Sequence, residues 1–98
     1  MPALTRLGDN STGHGCWSAR PNDTASPDVF CNGIAVHRLT DHWVTHCCNV
    51  FPFPCHDGVE SGGSLSVFVN GLAAARVGDP ISCGDTIAEG SPDVFVGD

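Results

Sequence analysis

The sequence predicts a small all-β body: three short β-sheets set around a pseudo-threefold axis. Three observations carry this. First, one phrase recurs three times, as Ser26-Pro27-Asp28-Val29-Phe30-Cys31-Asn32-Gly33, Ser64-Leu65-Ser66-Val67-Phe68-Val69-Asn70-Gly71 and Ser91-Pro92-Asp93-Val94-Phe95-Val96-Gly97-Asp98. Second, another phrase keeps the same rhythm, at Ala3–Asp9, Ala35–Asp41 and Ala73–Asp79, and its closing aspartates fall 32 and then 38 residues apart. Third, 12 glycines, 7 prolines and no amphipathic helical stretch favour turns and short strands. Threefold internal repetition within 98 residues reads as one body, so residues 1–98 are expected to be a single domain without an extension.

Each repeat reads as a hairpin. Val67-Phe68-Val69 is a β-branched and aromatic run. Asn70-Gly71 is the strongest short hairpin turn signal, because both turn positions need positive φ. The returning strand is Leu72 to Val77, ended by Gly78-Asp79. A second hairpin follows the same logic from Val29 to Leu39 around Asn32-Gly33. The first unit begins inside its returning strand at Ala3, and the last ends inside its outgoing strand at Val96. Pairing of the two chain ends would therefore close the third unit.

Alternation assigns faces to the returning strands. Ala3, Thr5 and Leu7, with Ala35, His37, Leu39, Ala73, Ala75 and Val77, form a small and apolar set expected to point inward. Arg6, Arg38 and Arg76 are expected to point outward or to pair with the repeated aspartates. Between the repeats lie the variable segments 10–25, 42–63 and 80–90, read as loops.

Charge and size exclude several functions. The chain has 4 arginines, no lysine and 11 acidic residues, for a net charge of −7. This argues against nucleic acid and anionic lipid as direct partners. No stretch approaches the roughly 20 apolar residues of a membrane span. The N-terminus lacks a charged-then-apolar export signal, so any export is expected to use a route without a cleaved one.

Six cysteines and five histidines are many for this length. After each repeated aspartate a possible metal ligand follows at nearly constant offset: His14 after Asp9, His46 after Asp41, Cys83 after Asp79. Threefold symmetry would bring these side chains together near one axis. His56 would complete a His3Cys set, which suits zinc in a closed, structural site. His37 and His42 stand as reserve ligands. His37 also reads as a satisfied core histidine, and His42 as a turn cap. Cys16, Cys47, Cys48 and Cys55 are candidates for disulfides in the long second loop, and Cys31 reads as a small buried hydrophobe.

With these motifs laid out, the chain resembles the PAAR-repeat family over nearly its whole length. The resemblance rests on Ser-Pro-Asp-Val-Phe at 26–30 and 91–95, on Val67-Phe68-Val69-Asn70-Gly71, and on the Arg-x-Gly-Asp phrases at 6–9 and 76–79. Gly13-His14-Gly15, His56-Asp57-Gly58 and Ser82-Cys83-Gly84 look like the family's metal-bearing turns. Thr40 stands where the other two units have the glycine of the Gly-Asp pair. The resemblance implies a conical cap whose base binds a trimeric VgrG-type or phage spike protein. It implies a zinc ion held by His14, His46, His56 and Cys83 near the vertex, and a non-enzymatic role in membrane puncture by a contractile injection machine. It further implies a monomer before docking, a possible effector cargo, and passage from cytoplasm to the exterior on the fired spike or tail tip. Two other classes compete with it. One is a small zinc-dependent hydrolase using Glu60 or Asp57 as base; the other is a secreted, disulfide-stapled binding module without metal.

Overall fold

Three two-stranded antiparallel sheets form the computed structural model, which describes residues 1–98. Strand β1 (Phe30–Cys31) pairs with β2 (Ile34–Ala35), β3 (His42–Cys47) with β4 (Cys55–Val59), and β5 (Phe68–Val69) with β6 (Leu72–Ala73). The two Asn-Gly turns take the conformation their chemistry favours. Asn32 and Gly33 have φ of 56° and 74°, and Asn70 and Gly71 have φ of 55° and 78°. Positive φ at both central residues matches the turn to the twist of its strands. The chain ends supply the third unit: Ala3 pairs with Phe95, and the Val96 N–H donates to the Pro2 carbonyl at 2.9 Å.

The three returning strands close on one another. The Thr5 N–H donates to Ala75 O at 3.0 Å, Ala75 N–H to His37 O at 3.0 Å, and His37 N–H to Thr5 O at 3.1 Å. A second cycle runs the other way, from Leu7 to Ala35 at 2.8 Å, Leu39 to Ala73 at 2.8 Å and Val77 to Ala3 at 2.9 Å. Two closed cycles related by threefold repetition leave these strands without free edges.

Side chains repeat the symmetry. Each arginine of the repeated phrase grips the aspartate three residues on: Arg6–Asp9 through two contacts at 3.1 Å, Arg38–Asp41 at 2.9 and 3.1 Å, Arg76–Asp79 at 3.1 and 3.0 Å. Units are then sewn together. Asn70 Oδ1 accepts from Arg38 at 3.0 Å and from Ser26 at 2.7 Å, while its amide donates to Asp28 at 2.8 Å. Asn32 does the same with Arg6, Ser91 and Asp93. In the third unit the Gly97 carbonyl replaces the asparagine, accepting from Arg76 and Ser64, both at 2.9 Å.

The inward face departs from the expected alternation. Thr5, His37 and Ala75 are fully buried, as expected, but Leu4, Val36 and Ala74 on the arginine side are buried too, and Leu7 is exposed. Alternation assumes a flat sheet; here strands converge on an axis, and consecutive residues enter successive layers. Leu4, Val36 and Ala74 join Cys31, Val69 and Val96 in one apolar cluster. Ala75 belongs to the next, with Trp43, Ile81 and Ile87.

Segment 42–63, expected to be a loop, holds the longest strand pair, β3–β4. The aromatic and β-branched run Trp43-Val44-Thr45 carries that strand signal. Its register shifts between Trp43 and His46. The molecule measures 41 × 24 × 21 Å along its principal axes.

Candidate metal centre

The second apolar cluster leads to a polar group at one end of the molecule, with Cys83 packed against that cluster. Each residue of the group is positioned by local backbone. Gly13 precedes His14 with φ of 79°, and a Cβ there would lie 2.9 Å from Ala19 N and Trp17 O, so only glycine allows this close return. His14 and Trp17 then exchange backbone hydrogen bonds at 2.9 and 2.8 Å. His46 and His56 face each other as register partners on β3 and β4. Cys83 sits in a turn closed by the Gly84 N–H donating to Ile81 O at 3.0 Å.

The four side chains meet. One ligand atom each of His14, His46, His56 and Cys83 lies within 4.8 Å of all the others. The His14 Nε2 is 3.3 Å from His46 Nε2 and 3.0 Å from His56 Nε2, and the last two are 2.7 Å apart. Ligand nitrogens about 2.0–2.1 Å from a tetrahedral zinc stand about 3.3–3.4 Å from one another. Three imidazole nitrogens drawn together at or inside that spacing, with a thiol beside them, fit a transition-metal ion. The His46 Nδ1–H donates to the Ser18 carbonyl at 2.8 Å, which leaves Nε2 as the nitrogen with the free lone pair. Desolvation pushes the His56 imidazole below its ordinary range, and the neighbouring His46, His14 and Arg20 push it further.

Two surrounding residues escaped the sequence reading. Trp17 stacks on His14 at 5.1 Å and on His56 at 4.6 Å between ring centroids. The buried Arg20 donates to Cys83 Sγ at 3.3 Å, to Val44 O at 2.7 Å and to Asp85 at 2.7 Å. Arg20 is the one arginine outside the repeated phrase, and that was the available signal. Two disulfides brace the same end, Cys16–Cys48 and Cys47–Cys55, leaving Cys31 and Cys83 free. The first of them leaves the second loop and ties it to the segment that carries His14.

The reserve ligands lie elsewhere. His37 is buried in the core, 3.5 Å from Glu60 Oε1, with Nδ1 donating to Thr24 O at 2.8 Å. His42 is held between Asp23 at 2.7 Å and Asp57 at 2.8 Å, and both carboxylates raise its pKa, Asp57 first. The candidate hydrolytic bases are thereby engaged away from the cluster. Asp57 binds His42. Glu60 is buried, accepts from Trp43 Nε1 at 3.1 Å, and is pushed up by that burial against the pull of His37.

The family model for the PAAR motif matches residues 11–89 and again 59–98. Over 72 residues, 74% of this chain, the sequence is 40% identical to Double-stranded DNA deaminase toxin A of Burkholderia cenocepacia (strain H111). The chain spans 5% of that relative's length. Repeats, closed strand triangle and family match agree: this chain belongs to the PAAR motif family.

Proposed function

We propose that this chain is the tip of an injection spike, tied at its narrow end by zinc and seated by its other end on a threefold spike protein. The observation that carries the reading is the contrast between two regions. In one, His14, His46, His56 and Cys83 converge, with Cys83 packed on the second apolar cluster; in the other, Phe30, Phe68 and Phe95, each next to a residue of the first cluster, repeat as exposed apolar side chains, 60%, 59% and 52% accessible. Three equivalent aromatics around an axis match the blunt end of a VgrG-type or phage spike trimer, and one chain caps one trimer. Residues 1–98 act here as one unit.

Zinc would be held by the Nε2 atoms of His14, His46 and His56 and by the sulfur of Cys83. Such a metal supplies cohesion between loops that share little apolar surface. Four protein ligands leave no position for a substrate, so the site is structural. Ser18 orients His46, Arg20 supports the sulfur, and Trp17 covers two imidazoles. The toxin relative supports a setting in which this fold travels with an effector, on a spike fired from the cytoplasm through a target membrane.

The test is capping. Native mass spectrometry of the chain with a candidate spike trimer should show one chain per trimer and one zinc per chain. Phe30→Asp combined with Phe68→Asp should abolish capping while zinc content stays at one. Capping that survives this double variant would overturn the docking assignment.

A further inference from the structure

Loop 48–54 joins β3 to β4 beyond the paired His46 and His56, and reads Cys48-Asn49-Val50-Phe51-Pro52-Phe53-Pro54. Its apolar side chains lie largely in the open, with Phe51 and Phe53 edge to face at 6.0 Å between ring centroids. Val50 is 60% exposed, Phe51 82% and Phe53 57%. No charged residue occurs from Cys47 to Cys55. Both ends of the loop are fastened, through Cys47–Cys55 and Cys16–Cys48, and Trp17 Nε1 donates to Pro54 O at 3.0 Å. Three bulky apolar groups are thus displayed on a braced platform.

We propose that this loop is a bilayer-contacting element that enters the interface of a neutral membrane ahead of the metal centre. The second half of its backbone suits an apolar medium, while the free N–H groups of Asn49, Val50 and Phe51 limit the loop to the hydrated interface. An apolar medium penalises every unpaired N–H. Here Pro52 and Pro54 have none, and the Phe53 N–H donates to Val50 O at 2.8 Å. The neighbouring Cys48 N–H donates to Pro54 O at 2.8 Å. The second half of the loop therefore presents no free donor. Size points the same way. Three side chains on a projecting turn fall far short of the roughly 800 Å² per partner of a stable protein interface. A bilayer interface accepts a few aromatic and aliphatic groups one at a time. Charge selects the lipid. The first charged residue beyond the loop in sequence is acidic, Asp57, the chain as a whole carries −7, and the cationic Arg20 is buried and engaged. Anionic lipid should therefore weaken binding.

The inference deepens the spike-tip reading, and the experiment separates the two. Zinc-loaded chain is floated with phosphatidylcholine vesicles and with vesicles containing phosphatidylglycerol. The expected result is partitioning onto the first and less onto the second. Phe51→Ser and Phe53→Ser should each lower the partition coefficient by about tenfold or more. Phe51→Trp should preserve partitioning and be quenched by brominated acyl chains. Capping of the spike trimer should be unchanged in all three variants. No flotation of the native chain, or flotation indifferent to Phe51→Ser and Phe53→Ser, overturns the inference while leaving capping untouched. Loss of capping in Phe51→Ser would instead identify the loop as a protein-docking element and overturn it too. Failure of the native chain to cap a trimer, with vesicle binding intact, would count against the spike reading alone.

Discussion

The two ends of this molecule solve the same problem by different means. At the aromatic end, order comes from repetition. Arginine–aspartate grips and closed backbone cycles recur in all three units, and serine–asparagine contacts in two of them, over a cluster of small apolar side chains. At the histidine end nothing repeats except the convergence itself. One histidine comes from a glycine turn, two from a hairpin, the sulfur from another turn, and two disulfides tie them. A domain can thus be held by many modest, redundant bonds where strands can pair, and by a few strong ties where they cannot.

Removing the strong ties should break the molecule at one end. With zinc bound, excess chelator should lower the melting temperature by about 15 °C or more, since a ligand at a thousand times its dissociation constant adds about 4 kcal/mol. Calorimetry with and without chelator measures this; an unchanged Tm would mean that the histidine end is held without metal. Cys16→Ser with Cys48→Ser opens a bridge of sequence separation 32 and should cost about 3–4 kcal/mol in denaturant melts. Proteolysis should then cut first near residues 14–20.

The redundant end should respond more gently, and alike in each unit. Asp9→Asn, Asp41→Asn and Asp79→Asn each leave an arginine and a backbone N–H without their charged acceptor, and each should cost about 1–3 kcal/mol. Unequal losses would show that the repeats are not energetically equivalent. The pH dependence has a definite sign. Burial pushes the Asp41 carboxyl up, but hydrogen bonds from the Arg38 side chain and backbone overcome it and hold the group below the usual range. Its contribution is complete above the ordinary carboxylate pKa, near 4, and is lost as pH falls through the lower folded value. Melting temperatures taken downward from pH 6 should fall less steeply for Asp41→Asn than for the parent.

The smallest expected change is a gain. Thr40 has φ of 74° where Gly8 and Gly78 have 87° and 92°. A β-branched residue in the left-handed region carries strain of about 1–2 kcal/mol. The greater unfolded-state entropy of glycine offsets about 0.5–1 kcal/mol of that, so Thr40→Gly should raise Tm by about 2–8 °C.

Much of this was legible from repetition. Asn32-Gly33 and Asn70-Gly71 announced their hairpins, and the offsets of His14, His46 and Cys83 from the repeated aspartates singled out side chains that do meet. What stayed hidden has physical causes. Alternation could not foresee that Leu4 and Thr5 would both be buried, because it presumes a flat sheet. The β3–β4 pair was masked by its cysteines and prolines, which read as loop. Arg20 and Trp17 act across long sequence separations, and neither follows the repeat.

The threefold placement of Phe30, Phe68 and Phe95 has a further consequence. On the proposed docking, a trimer that touches only those three positions would seat the chain in three settings 120° apart, nearly equal in energy. Among the marks that distinguish them are Leu65-Ser66, where the other units have Pro-Asp, and the third turn, where the Gly97 carbonyl replaces an asparagine side chain. Reconstructions averaged with imposed threefold symmetry would therefore sharpen the aromatic end and smear His14, Cys83 and loop 48–54 into a featureless knob. Only asymmetric refinement would recover the histidine end.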